Sequence, residues 1–166
     1  MDYSSVESLG ESIVTAVLES PRLRLIYRPH PWLGRVRPAS AAADARLRRA
    51  IEAANRGDVV DTGEYGWALG VADVCVTDVS SVAHDIRALG RPLLLAAPTS
   101  PNVPPTTEAT FAGAVRIDAT DATGIRALLD RALAADERSS PPPSVSMDGL
   151  LAAVASALRL GADPTL

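Results

Sequence analysis

The chain has no lysine: all 16 of its basic residues are arginine, set against 20 acidic residues for a formal charge of −4. An acidic total argues against a general nucleic-acid binder, because such domains neutralise phosphates with an excess of positive charge. Cysteine occurs once, as Cys75, which excludes a disulfide framework and a cysteine metal site. Its setting in the apolar run Val74-Cys75-Val76 marks it as a small buried hydrophobe. Histidine occurs twice, far apart at His30 and His84, and no recognisable metal-ligand spacing emerges. Apolar runs stay well below the ~18 residues of a membrane span, and no basic-then-apolar leader opens the chain. A cytoplasmic protein is the expectation. The phosphate-binding P-loop, the GxGxxG fingerprint and the GxSxG elbow are missing as well.

What is present is 166 residues, 47% of them hydrophobic and 22% charged, enough apolar material for one domain with a real core. Val6, Leu9, Ile13, Val14, Val17 and Leu18 recur at helical spacing behind Ser4 and Ser5, which suit an N-cap. Residues 23–27 alternate and stop at Pro29 and Pro31, as a strand running into a loop does. Helical spacing returns over residues 41–55, with Leu47, Ala50, Ile51 and Ala54 on one face and a stop at Asn55 to Gly57. A short strand at residues 59–60 and a short helix over 65–71 come next. The apolar strand 74–77 runs between Asp73 and Asp78, and the helix 82–89 is capped by Ser80 or Ser81. Gly90-Arg91-Pro92 breaks it before the buried-type strand 93–97. A long Pro/Thr-rich loop through Pro105, a strand at 115–117 and a helix begun near Thr120 or Asp121 complete a unit of residues 1–140. Pro141 to Pro143 form a stiff linker to a last helix whose apolar face is Leu150, Leu151, Val154 and Leu158, so that residues 141–166 pack back on the same domain.

Short apolar strands alternating with helices are the pattern of right-handed βαβ units, so the fold class is α/β with a parallel sheet covered on both sides. Ligands of such sheets bind beyond the carboxyl ends of the strands. There the sequence places Arg28 and His30, Thr62 and Glu64, residues 77–81, and the loop from Pro98 onward. Nine of the arginines fall within residues 22–56, opposed in that window only by Asp44 and Glu52. They are either solvated helix and loop positions or a basic patch for an anionic ligand.

Thr77-Asp78-Val79-Ser80-Ser81 gathers hydroxyls and free backbone N–H groups where a strand turns into a helix. Such a corner suits phosphate, and it also suits ordinary N-capping. His30 is held between two prolines, and Arg28 precedes it by two residues, so both can project to one side to grip a diphosphate or protonate a leaving group. A loop histidine without duty is the plain alternative. Asp85, in the first turns of the following helix, can accept from ribose hydroxyls or simply complement the helix dipole.

Arg28-Pro29-His30-Pro31, then residues 72–85 with Thr77-Asp78-Val79-Ser80-Ser81 and Asp85, then Arg91-Pro92-Leu93-Leu94-Leu95, together resemble the CDP-glycerol glycerophosphotransferase family, the teichoic-acid polymerases and primases. The likeness runs over residues 4–97 and more loosely beyond. It implies the Rossmann-like, doubly wound C-terminal half of a GT-B fold, and transfer of a polyol phosphate from a CDP-linked donor to an anionic polyol-phosphate polymer with release of CMP. The nucleotide is then a substrate, and no cofactor is implied. His30 and Arg28 would lie near the donor diphosphate, Ser80 and Ser81 with their backbone amides would hold its oxygens in the corner that also contains the binding candidates Thr77 and Asp78, Asp85 would meet the ribose, and the segment Asp61-Thr62-Gly63-Glu64-Tyr65, with Thr62 and Glu64, would border the cytosine. The arginine block would suit the polymer or an anionic membrane surface, giving a peripheral seat at the inner face of the membrane.

Two departures accompany the likeness. Val79 stands where the family has tyrosine, and the family's domain opens with a strand ahead of the first helix. In a doubly wound sheet that strand is central, between the strand ending at Arg28 and the one ending at Thr77, so the expectation is a chain that needs an N-terminal acceptor domain or a partner strand. A degenerate noncatalytic module that docks on a partner, and a fragment of a nucleotide-sugar glycosyltransferase, are the other readings.

Overall fold

The computed structural model describes residues 4–35, 37–63, 66–96, 111, 114–117 and 120–136. Five helices and five strands follow along them, alternating up to β4, in ten elements: α1 (Gly10–Leu18), β1 (Ile26–Tyr27), α2 (Pro38–Ala54), β2 (Val59–Val60), α3 (Gly66–Val71), β3 (Cys75–Thr77), α4 (Ser81–Ala88), β4 (Leu93–Ala96), β5 (Val115–Ile117) and α5 (Ala122–Asp136). Glu64, the loop 98–105, the proline linker 141–143 and the expected final helix lie outside the described residues.

Every strand pair is parallel, but the strands form two sheets: β1 with β2, and β3-β4-β5 in that order. The chain is therefore a small α/β domain of generic Rossmann-like character. β4 shows how it is covered on both faces. Leu94 and Ala96 join a core with Leu9, Ala16 and Val17 of the α1 region and Ile125 and Leu129 of α5. Leu95, one residue out of phase, packs instead with Ala83 of α4 and with Phe111. Period-two alternation on a fully buried strand produces this division. A second cluster, Val14, Leu47 and Ile51, ties α1 to α2 and receives Leu25, Tyr27 and Val60 from the smaller sheet. Both sheets thus lean on α1.

The N-terminus departs from the expected serine cap. No side chain caps α1, which has Leu9 at its N-cap position. The turn before it is gathered on the Ser5 carbonyl, which accepts from the N–H groups of Ser8, Leu9 and Gly10 at 3.1, 2.7 and 3.2 Å. Helix α2 begins three residues earlier than its apolar spacing indicates, with Pro38 in the first turn, where a missing N–H costs nothing. It ends on Asn55 in the left-handed conformation, φ 46°.

Burial of Cys75 pushes its thiol pKa up, with Arg91 opposing weakly. The nucleophilic thiolate is thereby suppressed twice, by access and by protonation. In the native protein Cys75 should stay unlabelled by iodoacetamide at pH 7.5 while denatured protein reacts; stoichiometric labelling under native conditions would contradict this packing.

Candidate functional site

Parallel pairing sets Ile26 against Val59 and Tyr27 against Val60, so the next register position brings Arg28 beside Asp61. Their side chains form an ion pair, and the Arg28 guanidinium also donates to the Gly63 carbonyl. The Asp61 carboxyl is held below its ordinary 3.8, first by the Gly63 N–H donating to Oδ1 at 2.9 Å, against some desolvation, and then by Arg28 and the Trp67 side chain. Thr62 is exposed between them. His30 is exposed, and its Nδ1 accepts the Trp32 backbone N–H at 3.1 Å, which leaves Nε2 as the free edge of the ring.

The second group lies at the end of β3. Asp78 is mostly buried, and its Oδ1 accepts the Ser5 N–H at 3.0 Å. Burial raises the Asp78 pKa above its ordinary 3.8, although the Ser5 hydroxyl and N–H pull it down. Thr77, half-buried, pairs with Leu95. Ser80 occupies the N-cap position of α4 in extended conformation, φ −156° and ψ 174°, and Ser81 is the first helical residue. The expected capping by a serine hydroxyl is not made: α4 has no side-chain cap. Ser80 contributes its carbonyl, which accepts from Ala83 at 3.1 Å. Amide groups of the first turn are therefore left for solvent or for an anion. Asp85 is half-buried in the second turn of α4, and exposed His84 lies against Phe111 with ring centroids 4.8 Å apart.

Family models, curated proteins and solved structures yield no match to this chain.

The structure thus gathers Arg28, Asp61 and Gly63 at the ends of β1 and β2, and Ser5, Asp78, Ser80 and Ser81 around the end of β3. The sequence reading had Asp61 only as part of the 61–65 segment bordering the cytosine and Ser5 only as a candidate cap, and foresaw neither contact. The signal for Asp61 was register: it follows its two-residue strand as Arg28 follows its own. Ser5 left no signal beyond its suitability as a cap, because it acts through its backbone.

Folding also changes the arginine block. Seven of its nine guanidiniums are engaged within the molecule. Arg28 meets Asp61, Arg37 Glu7, Arg46 Glu11 and Arg48 Asp44, while Arg35 lies 5.8 Å from the Trp32 ring. Arg24 donates to Leu23 and Pro21 carbonyls, and Arg56 to carbonyls of Val17, Leu18 and Leu23. Glu7, Glu11 and Asp61 all lie outside the 22–56 window, which is why its sequence charge overstates the field it presents.

The Asp78 environment carries a pH dependence with a definite sign. A raised folded-state pKa means that the native protein holds this proton to higher pH than the unfolded chain. Stability therefore falls as pH rises from about 3.8 through the raised value, and the deficit persists above it. Asp78→Asn keeps an oxygen for the Ser5 N–H and removes the buried charge. It should be at least as stable as the parent at pH 7 and lack this segment of the pH profile. Asp78→Ala strands the Ser5 donor and should lose about 1–2 kcal/mol. Urea melts from pH 3 to 8 read both, and an Asn variant weaker than the Ala variant would refute the assignment.

Proposed function

We propose that this chain is the donor-binding half of a CDP-glycerol glycerophosphotransferase-like enzyme. The observation that carries the reading is the uncapped start of α4 at the carboxyl end of β3. Amides of a first helical turn and two serine hydroxyls there suit the diphosphate of a nucleotide donor. Arg28 and His30, at the end of β1, supply the cation and the free Nε2 edge for the same diphosphate. Asp85 takes the ribose hydroxyls, and the Thr62 region borders the base. An acceptor hydroxyl attacks the phosphorus that bears the glycerol. A new P–O bond forms as the pyrophosphate P–O bond breaks, CMP leaves, and the acceptor proton passes to a base on an acceptor domain outside this chain. The contribution of these residues is charge stabilisation of the departing CMP.

Titration calorimetry of the full chain with CDP-glycerol, CDP, CMP and a UDP-sugar tests this. Binding of the CDP ligands, tightest for those with a diphosphate, is the expected result; absence of binding, or equal affinity for the UDP-sugar, would overturn it. His30→Ala should weaken CDP-glycerol binding by about tenfold, the value of one charge-assisted hydrogen bond, while shifting folding stability by no more than ~0.5 kcal/mol, as an exposed loop side chain does. Unchanged affinity would remove His30 from the site.

A noncatalytic module that docks on a partner is the second reading. It is favoured by Arg28, whose charge is already matched by Asp61.

A further inference from the structure

We propose that the indole of Trp67 is a stacking platform for the base of a nucleotide. This role rests on the donor-binding reading, which brings a nucleotide to the strand ends; the platform itself is built by the turn from β2 into α3. Helix α3, Gly66-Trp67-Ala68-Leu69-Gly70-Val71, carries no ionisable side chain, and of its six residues Ala68 is the one that is fully buried. Trp67 is 46% exposed, although tryptophan is on average a deeply buried residue.

Its ring is exposed but anchored. The Trp67 side chain hydrogen-bonds Asp61, and because indole nitrogen only donates, the N–H edge points at the carboxylate. Asp61 is in turn fixed by the Gly63 N–H at 2.9 Å and by its ion pair with Arg28. A helical side chain leans over the turn N-terminal to its own Cα, which here is the turn leaving β2. The polar edge of the ring is thus tied to the carboxyl end of β2, where ligands of parallel sheets bind.

The neighbours of the ring on its own helix are glycines. Gly66 precedes it and Gly70 follows at i+3, the spacing at which side chains on a helix surface meet. Both are exposed, and a Cβ added to either meets nothing within 4 Å. A stiff aromatic face in open space, with no charge on its own helix, suits another flat π system, since two rigid rings desolvate each other with little freedom to lose. Thr62, assigned to the region of the base, directly follows the Asp61 that anchors the indole, so platform and base share one support. Every base has such a face, so Trp67 contributes affinity and leaves the choice between cytosine and uracil to polar groups.

Trp32 and Trp67 are the two tryptophans of the chain, and Trp32 is exposed, so the full chain carrying Trp32→Phe reports Trp67 fluorescence alone. CDP should quench that emission, and inorganic pyrophosphate at the same concentration should not. By calorimetry, Trp67→Ala should weaken CDP binding about tenfold, as loss of one base–aromatic stack does. Trp67→Phe, which keeps a ring and gives up the N–H, should recover most of the loss. A parent that binds CDP beside a Trp67→Ala variant that binds it equally well would overturn the platform and leave the donor-binding reading standing; a parent that binds no CDP would overturn both. A Phe variant as weak as the Ala variant would show that Trp67 acts through its bond to Asp61 and would overturn the proposal. So would an indole shielded from acrylamide in the free chain, where the protein's own residues would be covering the ring.

Discussion

Arg56→Ala should lower the unfolding free energy by about 3 kcal/mol, a loss in the range for breaking a buried ion pair from one side. Arg56 is only 19% exposed, and the side chain of its partner Asp58 is 0% exposed. The guanidinium donates to the Val17 and Leu18 carbonyls at the end of α1 and to the Leu23 carbonyl on the approach to β1. Its Nε lies 3.5 Å from Asp58 Oδ2, while Asp58 Oδ1 accepts the Leu25 N–H at 2.6 Å. One arginine and one aspartate thus fasten the exit of α1, the start of β1 and the approach to β2. Truncation takes its donor from the Leu18 carbonyl and one of two donors from Val17 and Leu23, which keep the Ser20 N–H and Arg24, and it leaves a buried carboxylate short of its cation.

Arg56→Lys should recover only part of the loss, because an ammonium cannot reach carbonyls on two sides as the planar guanidinium fork does. Asp58→Ala combined with Arg56→Ala should cost less than the two single losses added, since each single variant strands the other residue. Urea denaturation of the four variants measures these terms. A loss under 1 kcal/mol for Arg56→Ala, or strict additivity in the double variant, would mean that the clamp does not couple these elements.

The alternation of helices and strands was legible because hydrophobic period and turn residues act locally. Each described strand falls within or upon the run that predicts it, and Asn55 and Gly90 stop their helices as expected. Helix starts were less legible. α4 carries two serines in cap positions and uses neither hydroxyl, because cap preference states only what a residue is able to do. The strands were expected to be buried on two faces, yet Val59 and Val115 are exposed and β1 is half-buried. An apolar run does not reveal whether a neighbouring strand or helix exists to cover it. The division into two sheets follows the same logic. Pairing is a property of neighbours, and the sequence reading expected a gap, between Arg28 and Thr77, only through the family likeness and the order of a doubly wound sheet. The arginine block failed as a count for a related reason: charges distant in sequence, Glu7 and Glu11 among them, fold back onto it.

The second large effect belongs to Gly34, which shapes the loop that carries His30. Its φ of +79° lies in the left-handed region, and a Cβ there would stand 2.7 Å from the Ala41 Cβ and 2.9 Å from the Ala41 Cα in the first turns of α2. Backbone strain of about 1–2 kcal/mol then adds to overpacking of about 1–3 kcal/mol, because the opposing atoms belong to a helix main chain and a methyl group, with no flexible side chain to swing away. Gly34→Ala should therefore lose about 3 kcal/mol. Gly57 is the internal control: it has the same φ of +79° and nothing within 4 Å of an added Cβ, so Gly57→Ala should lose only the strain, about 1 kcal/mol. The consequences for binding separate in the same way. Relief of the Gly34 clash moves the loop around Gly34 away from α2, and with it His30, which the proposed function puts at the donor diphosphate. Gly34→Ala should thus weaken CDP-glycerol binding at temperatures where it is still folded, and Gly57→Ala should not. Equal stability losses in the two variants would show that the loop yields freely at Ala41; an equal affinity in folded Gly34→Ala would show that the position of His30 does not matter to the ligand.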